Sequence, residues 1–357
     1  MSVLRAAALI LLFASTALAQ VDPKTAFLER SAWDALGKGN ARVAADAFRE
    51  ALRADPRNAR LHLGASLAAY FEKRDADARD EAVRALALDG RLTQAREVLA
   101  QALHRLGDLA GAIRAYEEFL SETPADNDAK ATLERWRREL DLHNRMRETI
   151  GAHFTVAFEG PAESVLAQKA LQSLDKAYWR IGQLLGTFPT EPIPVVLYTT
   201  QQFSDITRSP TWAAGAFDGI IRVPMRGALD KDAELDRVLA HEFTHALVHT
   251  LAERGVPAWL NEGLATALET ETGSNAEQQV ARDGTAVPLS DLRSSFGKFS
   301  GKEATIAYGT SAIAVRRIID EVGGFAVANL LRDLGEGADF DDAFLHRFQR
   351  SFTEFQR

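Results

Sequence analysis

The feature that most constrains this chain is a 34-residue period in its first third. Ala44, Ala78 and Ala112 repeat at that interval, as do Phe48, Ala82 and Tyr116, and Ala51, Ala85 and Phe119. Pro56 and Pro124 lie two periods apart, and Gly90 occupies the midpoint, preceded by Asp89 as Pro56 is preceded by Asp55. Gly39 and Gly107 stand where the first and third units need a turn between two helices. A unit of this length is too small to bury its own apolar face, so stacked neighbours must supply the core. Small residues at the helix crossings let paired helices approach, and larger ones beside them fill the space between units. An irregular helical bundle would have no reason to keep the interval.

Over about residues 25–125 this pattern resembles tetratricopeptide repeats, with Leu28 where the family prefers Trp and Gly90 for Pro in the middle copy. The resemblance implies an α-helical solenoid domain over 20–127 whose groove binds a protein partner. A charged, Gly- and Pro-free stretch follows, "DAKATLERWRRELDLHNRMRETI". It is predicted to be a capping or linker helix over 128–150. His62, His104 and His143 fall in these helices without carboxylates at ligand spacing, and are expected to be surface or packing residues.

Ahead of the repeats, "MSVLRAAALILLFASTALAQ" carries Arg5, an apolar run from Ala6 to Ala14, and the small-x-small site Ala17-Leu18-Ala19. This predicts a secretory signal peptide over 1–19, cleaved after Ala19. The apolar run falls far short of the roughly 20 residues of a membrane span, which argues against an uncleaved anchor. The chain has no cysteine. For an exported protein of this size, that points to a periplasmic or secreted bacterial location, and it excludes thiolate metal sites and a cysteine nucleophile. A net charge of −8 with no basic stripe excludes nucleic acid as an expected partner. No second long apolar run follows, so no membrane span is expected after signal cleavage.

Beyond Gly151 the pattern changes. "HFTVAFEG" (153–160), "IPVVLYT" (193–199) and "AFDGIIRVP" (216–224) read as strands, with helices over about 162–185 and 202–207. From Asp232 onward nearly everything is helical, which indicates an α+β domain with a small sheet and a helical lobe over 151–357. "KDAELDRVLAHEFTHALVHTLAERG" (231–255) is an amphipathic helix that starts with acids and stops at Gly255. Residues four apart share a helix face, so His241 and His245 can aim two nitrogens at one ion, with Glu242 alongside as a general base. His249 sits a further turn along. Its imidazole would be roughly 12 Å along the axis from His241, beyond the reach of one ion. The histidine-only scheme H-E-x-x-H-x-x-G-x-x-H also fails, because Val248 and Leu251 occupy its Gly and last His. The next helix, "VPAWLNEGLATALE" (256–269), opens with Pro257 and carries Glu262 after sixteen intervening residues. A helix pair folded back around Gly255 would bring that carboxylate to the two imidazoles, and His, His and Glu form an open catalytic zinc set.

H-E-F-T-H (241–245) followed by W-L-N-E-G-L-A-x-x-x-E (259–269) resembles the gluzincin metallopeptidases, of the aminopeptidase-N-like branch and the compact peptidase-MA-like domains. That resemblance implies one catalytic Zn2+ on His241, His245 and Glu262, with Glu242 as catalytic base. It implies less firmly that Tyr308, at the start of "AYGTSAIAVRRIIDEVGG" (307–324), donates to the oxyanion, with packing beside the ligand helices as the other role open to it. The strand over 216–224 resembles the edge on which such enzymes align a peptide by strand addition. Glu269 is expected to support the ligands from behind or to face solvent, and His249 to do the same or pack. The Gly-x-Met-Glu-Asn stretch that grips a free N-terminus is replaced here by "AAGAFDGI" (213–220), so endopeptidase or processing activity is expected over aminopeptidase activity.

The function expected is therefore an exported zinc-dependent peptidase acting on a peptide or protein substrate, with repeats that recruit substrate or partner. The alternative is a repeat scaffold protein of the cell envelope whose zinc domain is non-catalytic or partner-activated. A third reading, a plain core helix with incidental histidines, requires the three ligand side chains to point apart.

Overall fold

A computed structural model describes residues 23–160, 164–207, 216–217, 219–224, 232–294, 296, 299 and 301–356. The signal peptide expected over 1–19 lies outside them. Six helices come first, as three antiparallel pairs: α1 (Pro23–Gly37) with α2 (Ala41–Ala54), α3 (Ala59–Phe71) with α4 (Asp75–Leu88), and α5 (Thr93–Arg105) with α6 (Leu109–Glu122). The three residue sets that repeat at 34 are all buried, and Ala44, Ala78 and Ala112 are wholly so. Gly39, Lys73 and Gly107, again at that interval, all adopt left-handed φ at the turn within a pair. Asn58 and Asp126, two periods apart, cap α3 and the following α7 (Asn127–His143) by accepting from backbone amides of the first turn. The period thus fixes crossing, turn and cap together. This is the tetratricopeptide architecture.

The capping helix ends sooner than its composition suggests. It stops at His143, and Arg147–Ile150, expected to be its last turn, form strand β1, so the sheet begins before residue 151. Thr149 and Ile150 are β-branched, and pairing with the next strand outweighs their weak helical preference. β1 pairs antiparallel with β2 (Phe154–Phe158). After α8 (Ser164–Leu185), β3 (Ile193–Tyr198) joins β2 in parallel, followed by α9 (Thr200–Thr207). The strand expected over 216–224 is two strands, β4 (Ala216–Phe217) and β5 (Ile221–Pro224), paired antiparallel around Gly219 at φ +98. A β-carbon on Gly219 would stand 2.9 Å from the Arg105 carbonyl, so the turn seats directly on the third repeat. The sheet order is β1-β2-β3-β5-β4, with β5 parallel to β3. Strand addition at the β4 edge is therefore confined to Ala216–Phe217, because β4 covers β5.

Phe154, Val156, Phe158, Val195 and Leu197 put one face of the sheet against α8 and α10 (Asp232–Leu251). The chain then forms α11 (Ala258–Leu268), α12 (Asn275–Asp283), a 3₁₀ turn (Leu289–Leu292), α13 (Gly301–Val322), α14 (Gly324–Gly335), α15 (Phe340–Phe348) and the short α16 (Phe352–Phe355). Among the described residues, no helix is long and apolar enough to cross a membrane.

The other face of the sheet meets α7. Glu139 and Arg222, 1% and 3% exposed, pair at 2.8 Å across this junction. Arg222 also donates to the Tyr198 hydroxyl at 2.7 Å, and that hydroxyl lies 2.7 Å from His143 Nε2. His104 Nε2 approaches the second Glu139 oxygen at 3.3 Å, while its ring stacks on Trp136. His62 likewise meets Glu81 at 2.6 Å. Two of the helical histidines read as surface or packing residues, His62 and His104, therefore have acidic companions. Both carboxylates come from other helices, which spacing along one helix does not reveal. Burial acts to raise the Glu139 carboxyl, but the His104 hydrogen bond and the Arg222 charge outweigh it and hold it below the usual range.

Breaking one half of such a pair leaves the other charge buried and alone, so Glu139→Gln is expected to destabilise the protein by about 3–5 kcal/mol in urea denaturation. The double replacement Glu139→Leu with Arg222→Met should cost less than either single change. A carboxyl held low contributes stability above its unfolded pKa and loses it as pH falls through the folded one, so the Glu139→Gln deficit should shrink on acidification below about 4.5.

Candidate active site

α10 begins with Asp232 and Glu234, acids favoured where backbone N–H groups are unpaired. It packs into the core along Leu235, Leu239, Phe243 and Leu247, which leaves the face bearing His241 and His245 toward the cleft. The two rings lie 4.9 Å apart, edge to face. After α10 the chain reverses through Gly255, at φ +78 and against the Leu334 carbonyl, and Pro257 caps the start of α11. The reversal brings Glu262, just over one turn into α11, back over the imidazoles. Its Oε2 is 3.5 Å from His245 Nε2 and 4.0 Å from His241 Nε2. One ligand atom from each of the three residues lies within 4.8 Å of the other two. Ligands held about 2.0–2.1 Å from a tetrahedral ion stand roughly 3.3 Å apart, so this set fits a zinc-sized ion with little adjustment. The three side chains converge, contrary to the reading of incidental histidines.

The other nitrogen of each ring is already engaged. His241 Nδ1 donates to Glu269 Oε2 at 3.0 Å, and His245 Nδ1 donates to Asn261 Oδ1 at 3.1 Å. Those acceptors hold the N–H on Nδ1 and leave both Nε2 lone pairs facing Glu262. Glu269 is itself held by Arg237 Nη1 at 3.0 Å and is 8% exposed, so it supports His241 rather than facing solvent. Burial opposes protonation of His241, but the hydrogen bond to Glu269 and the charges of Glu242, Glu269 and Glu262 together raise its pKa.

Glu242 is 4% exposed, and its Oε2 has no hydrogen-bond partner among the described residues. Burial raises its carboxyl; the neighbouring imidazoles of His245 and His241 oppose that rise, and Glu262 adds to it. An orphaned buried carboxylate oxygen beside a ligand cluster is an acceptor in want of a proton donor. Tyr308, on α13, is half-buried, packs edge-on against Phe296 and lines the same cleft. Burial, then the Glu262 and Glu242 charges, raise its phenol, so it stays protonated as a donor. α13 reaches the site because Gly263 has no side chain: a β-carbon there would stand 2.7 Å from the Ser311 carbonyl.

His249 stays outside this cluster. It packs edge-on against Phe217 of β4 at 5.6 Å, and its charge reaches Asp75 of the second repeat. Sequence reasoning missed Asn261 and Arg237. Asn261 had a signal, since it immediately precedes Glu262 on the face turned to α10. Arg237, one turn before His241, had none that distinguished it from a solvated charge.

A cleft of about 2040 Å³ contains the cluster and extends to the repeats, where Gly39, Lys73 and Gly107 line its far wall. The floor is the exposed side of α10.

A family description, the peptidase MA superfamily, matches residues 173–352, and the tetratricopeptide repeat matches residues 30–91 and 76–128. The chain belongs to the peptidase MA superfamily and carries tetratricopeptide repeats ahead of that domain. Among solved structures, the first TPR of Spaghetti (RPAP3) bound to the HSP90 peptide SRMEEVD is 25% identical with a TM-score of 0.32, covering 33% of this chain and 94% of that one. The first TPR domain of human RPAP3, determined by NMR, is 24% identical at the same TM-score and the same coverage. No curated protein matches the chain.

A carboxyl with a raised folded pKa binds its proton more tightly in the folded state, so stability falls as pH climbs from the unfolded value through the folded one. In the metal-free protein, Glu242→Gln is therefore expected to raise the thermal midpoint at neutral pH. That gain should close as pH drops below about 4.5.

Proposed function

We propose that this protein is an exported zinc peptidase that cleaves within polypeptide chains. The observation that carries the reading is the convergence of His241, His245 and Glu262, with the unpartnered Glu242 Oε2 at their side. When bound, zinc supplies Lewis acidity, polarising the scissile carbonyl and bringing the pKa of a water towards neutrality. Glu242 takes the proton of the attacking water on its free Oε2 and returns it to the departing amine. Burial raises its carboxyl, so it holds an accepted proton more readily than an exposed carboxylate would. Tyr308 donates its phenolic proton to the oxygen that gains negative charge as the carbonyl is attacked. Glu269 and Asn261 hold the two rings, so the ligand set is organised before substrate arrives. Internal cleavage is favoured because the cleft continues past the site to the repeat domain, leaving room for chain on both sides. Export is supported by the sequence pattern over 1–19, that of a secretory leader, and would put the protein in the periplasm or outside the cell.

The second reading, a scaffold that docks partners through its repeats, is supported by the three-unit solenoid, a class of surface that binds other proteins. Recovery of a stable partner through residues 20–150, together with no turnover of any peptide by the zinc-loaded protein, would favour it.

Zinc content and hydrolysis of an unfolded protein substrate test the first reading together. Glu242→Gln should keep about one zinc per chain and lose about 10²–10⁴-fold in rate. Equal activity would remove Glu242 from the chemistry. His241→Ala and Glu262→Ala should lose the metal, and Glu269→Ala should bind it about 10–100-fold more weakly while still folding.

A further inference from the structure

The repeats contribute to the lining of the cleft that holds the ligand cluster, and do so by one particular edge. The three within-pair turns at Gly39, Lys73 and Gly107 all line the cleft, so this edge borders it along its length. In the first and third repeats the left-handed turn position is glycine, while the second places Lys73 there at φ 59. A lysine in that conformation costs more than glycine would, and such positions persist where the side chain or its placement serves the protein. Lys73 is exposed to the cleft.

A second observation lies beside it. Arg42, at the start of α2, is exposed and makes no hydrogen bond or ion pair among the described residues. A β-carbon built on Gly337 would have as its three nearest atoms Arg42 Nη2 at 3.3 Å, Arg254 Nη2 at 3.5 Å and Arg42 Cζ at 3.6 Å. Two guanidiniums, one from each domain, thus face a common point over a bare stretch of backbone. The acid that meets Arg254 is already shared: Glu72 pairs with Arg254 at 3.0 Å and with Arg74 at 3.0 Å. Glu191 and Glu253 also line the cleft, and Asp333, Glu336 and Asp342 line a smaller hollow that includes Gly337, but apart from its chain neighbours the atoms nearest a β-carbon on Gly337 all belong to arginine. Val43 and Phe71, 57% and 60% exposed, line the same cleft.

We infer that this edge is a substrate subsite, in which Arg42 and Arg254 hold a carboxylate side chain of the bound polypeptide over Gly337 while Lys73 adds to the positive field. The inference rests on the peptidase reading for the identity of the polypeptide as substrate. An Asp or Glu fits the free Nη2 groups as a charge-assisted acceptor. A neutral polar residue would leave the Arg42 guanidinium without a charged partner. His245 lies six residues, about 9 Å, before the end of α10 at Leu251, and Arg254 follows in the turn beyond it. An extended chain advances about 3.3–3.6 Å per residue, so the acid belongs about three to five residues from the scissile bond. The repeats then act as part of the peptidase's own binding site, by their turn edge and not by their concave face.

The test uses the zinc-loaded protein and a mixed peptide library of random sequence, with cleavage positions read by mass spectrometry. Parallel binding of the Glu242→Gln variant to arrayed peptides does not depend on turnover. Asp and Glu should be enriched about fivefold at one position three to five residues from the cut, the size of an incompletely screened charge pair, and less at high salt. Arg42→Ala should abolish that enrichment without slowing cleavage of peptides that lack the acid, and Arg42→Glu should invert it towards Lys and Arg. The array should show the same acidic preference in Glu242→Gln, lost in Glu242→Gln/Arg42→Ala. Cleavage with no acidic preference, or with a preference that survives Arg42→Ala, overturns the subsite and leaves the peptidase reading standing. Arg42-dependent binding of acidic peptides with no hydrolysis sinks the peptidase reading and keeps the subsite. Neither cleavage nor binding overturns both.

Discussion

The buried pair between Glu139 and Arg222 is the interaction on which the arrangement of this protein turns. It sits where the last helix of the solenoid meets the sheet, and each partner comes from a different side of that junction. Desolvating two charges is costly, and here the cost is offset only because Tyr198, His104 and His143 complete the hydrogen bonding around them. Such a network is satisfied in one relative placement of the two parts. An apolar junction would tolerate sliding, whereas a slide here would strand a carboxylate or a guanidinium. The cleft, whose two walls belong to different domains, inherits its shape from that placement.

Within the peptidase domain a similar logic acts at shorter range. The three convergent side chains sit on two helices joined by a tight reversal, and each imidazole is held by a partner on α11 or at its end. Glu269 and Asn261 occupy one helix, so the same segment that carries Glu262 also sets the rings that face it. Gly263, next in sequence, allows α13 to approach and bring Tyr308 in. The nine residues 261–269 therefore supply a candidate ligand, both groups that hold the imidazoles and the contact that brings Tyr308 in.

Much of this is legible in the order of residues alone, for reasons that differ by element. The 34-residue interval reveals the solenoid because every unit must bury the same positions against its neighbours. The four-residue interval between His241 and His245 marks a shared face because helix geometry is regular. Glu262 is reachable because a helix pair folded back around Gly255 must bring it near the imidazoles. The end of α7 is not legible, since a charged stretch without Gly or Pro looks helical until β2 offers Arg147–Ile150 a partner. Nor is the division of residues 216–224, because the break at Gly219 answers to the third repeat, more than a hundred residues away. Arg237, Glu81 and Glu139 look like ordinary surface charges for the same reason.

By itself, then, the sequence determined what repeats at fixed intervals: the solenoid, the helix bearing His241, Glu242 and His245, and the candidate third ligand on the helix after it. Local periodicity is written into the chain because backbone geometry is the same in every protein. Only the tertiary structure decided which charges face each other across elements. The acid behind His241, the pair under the sheet and the two arginines over Gly337 are contacts between distant segments. No spacing along the chain encodes those meetings.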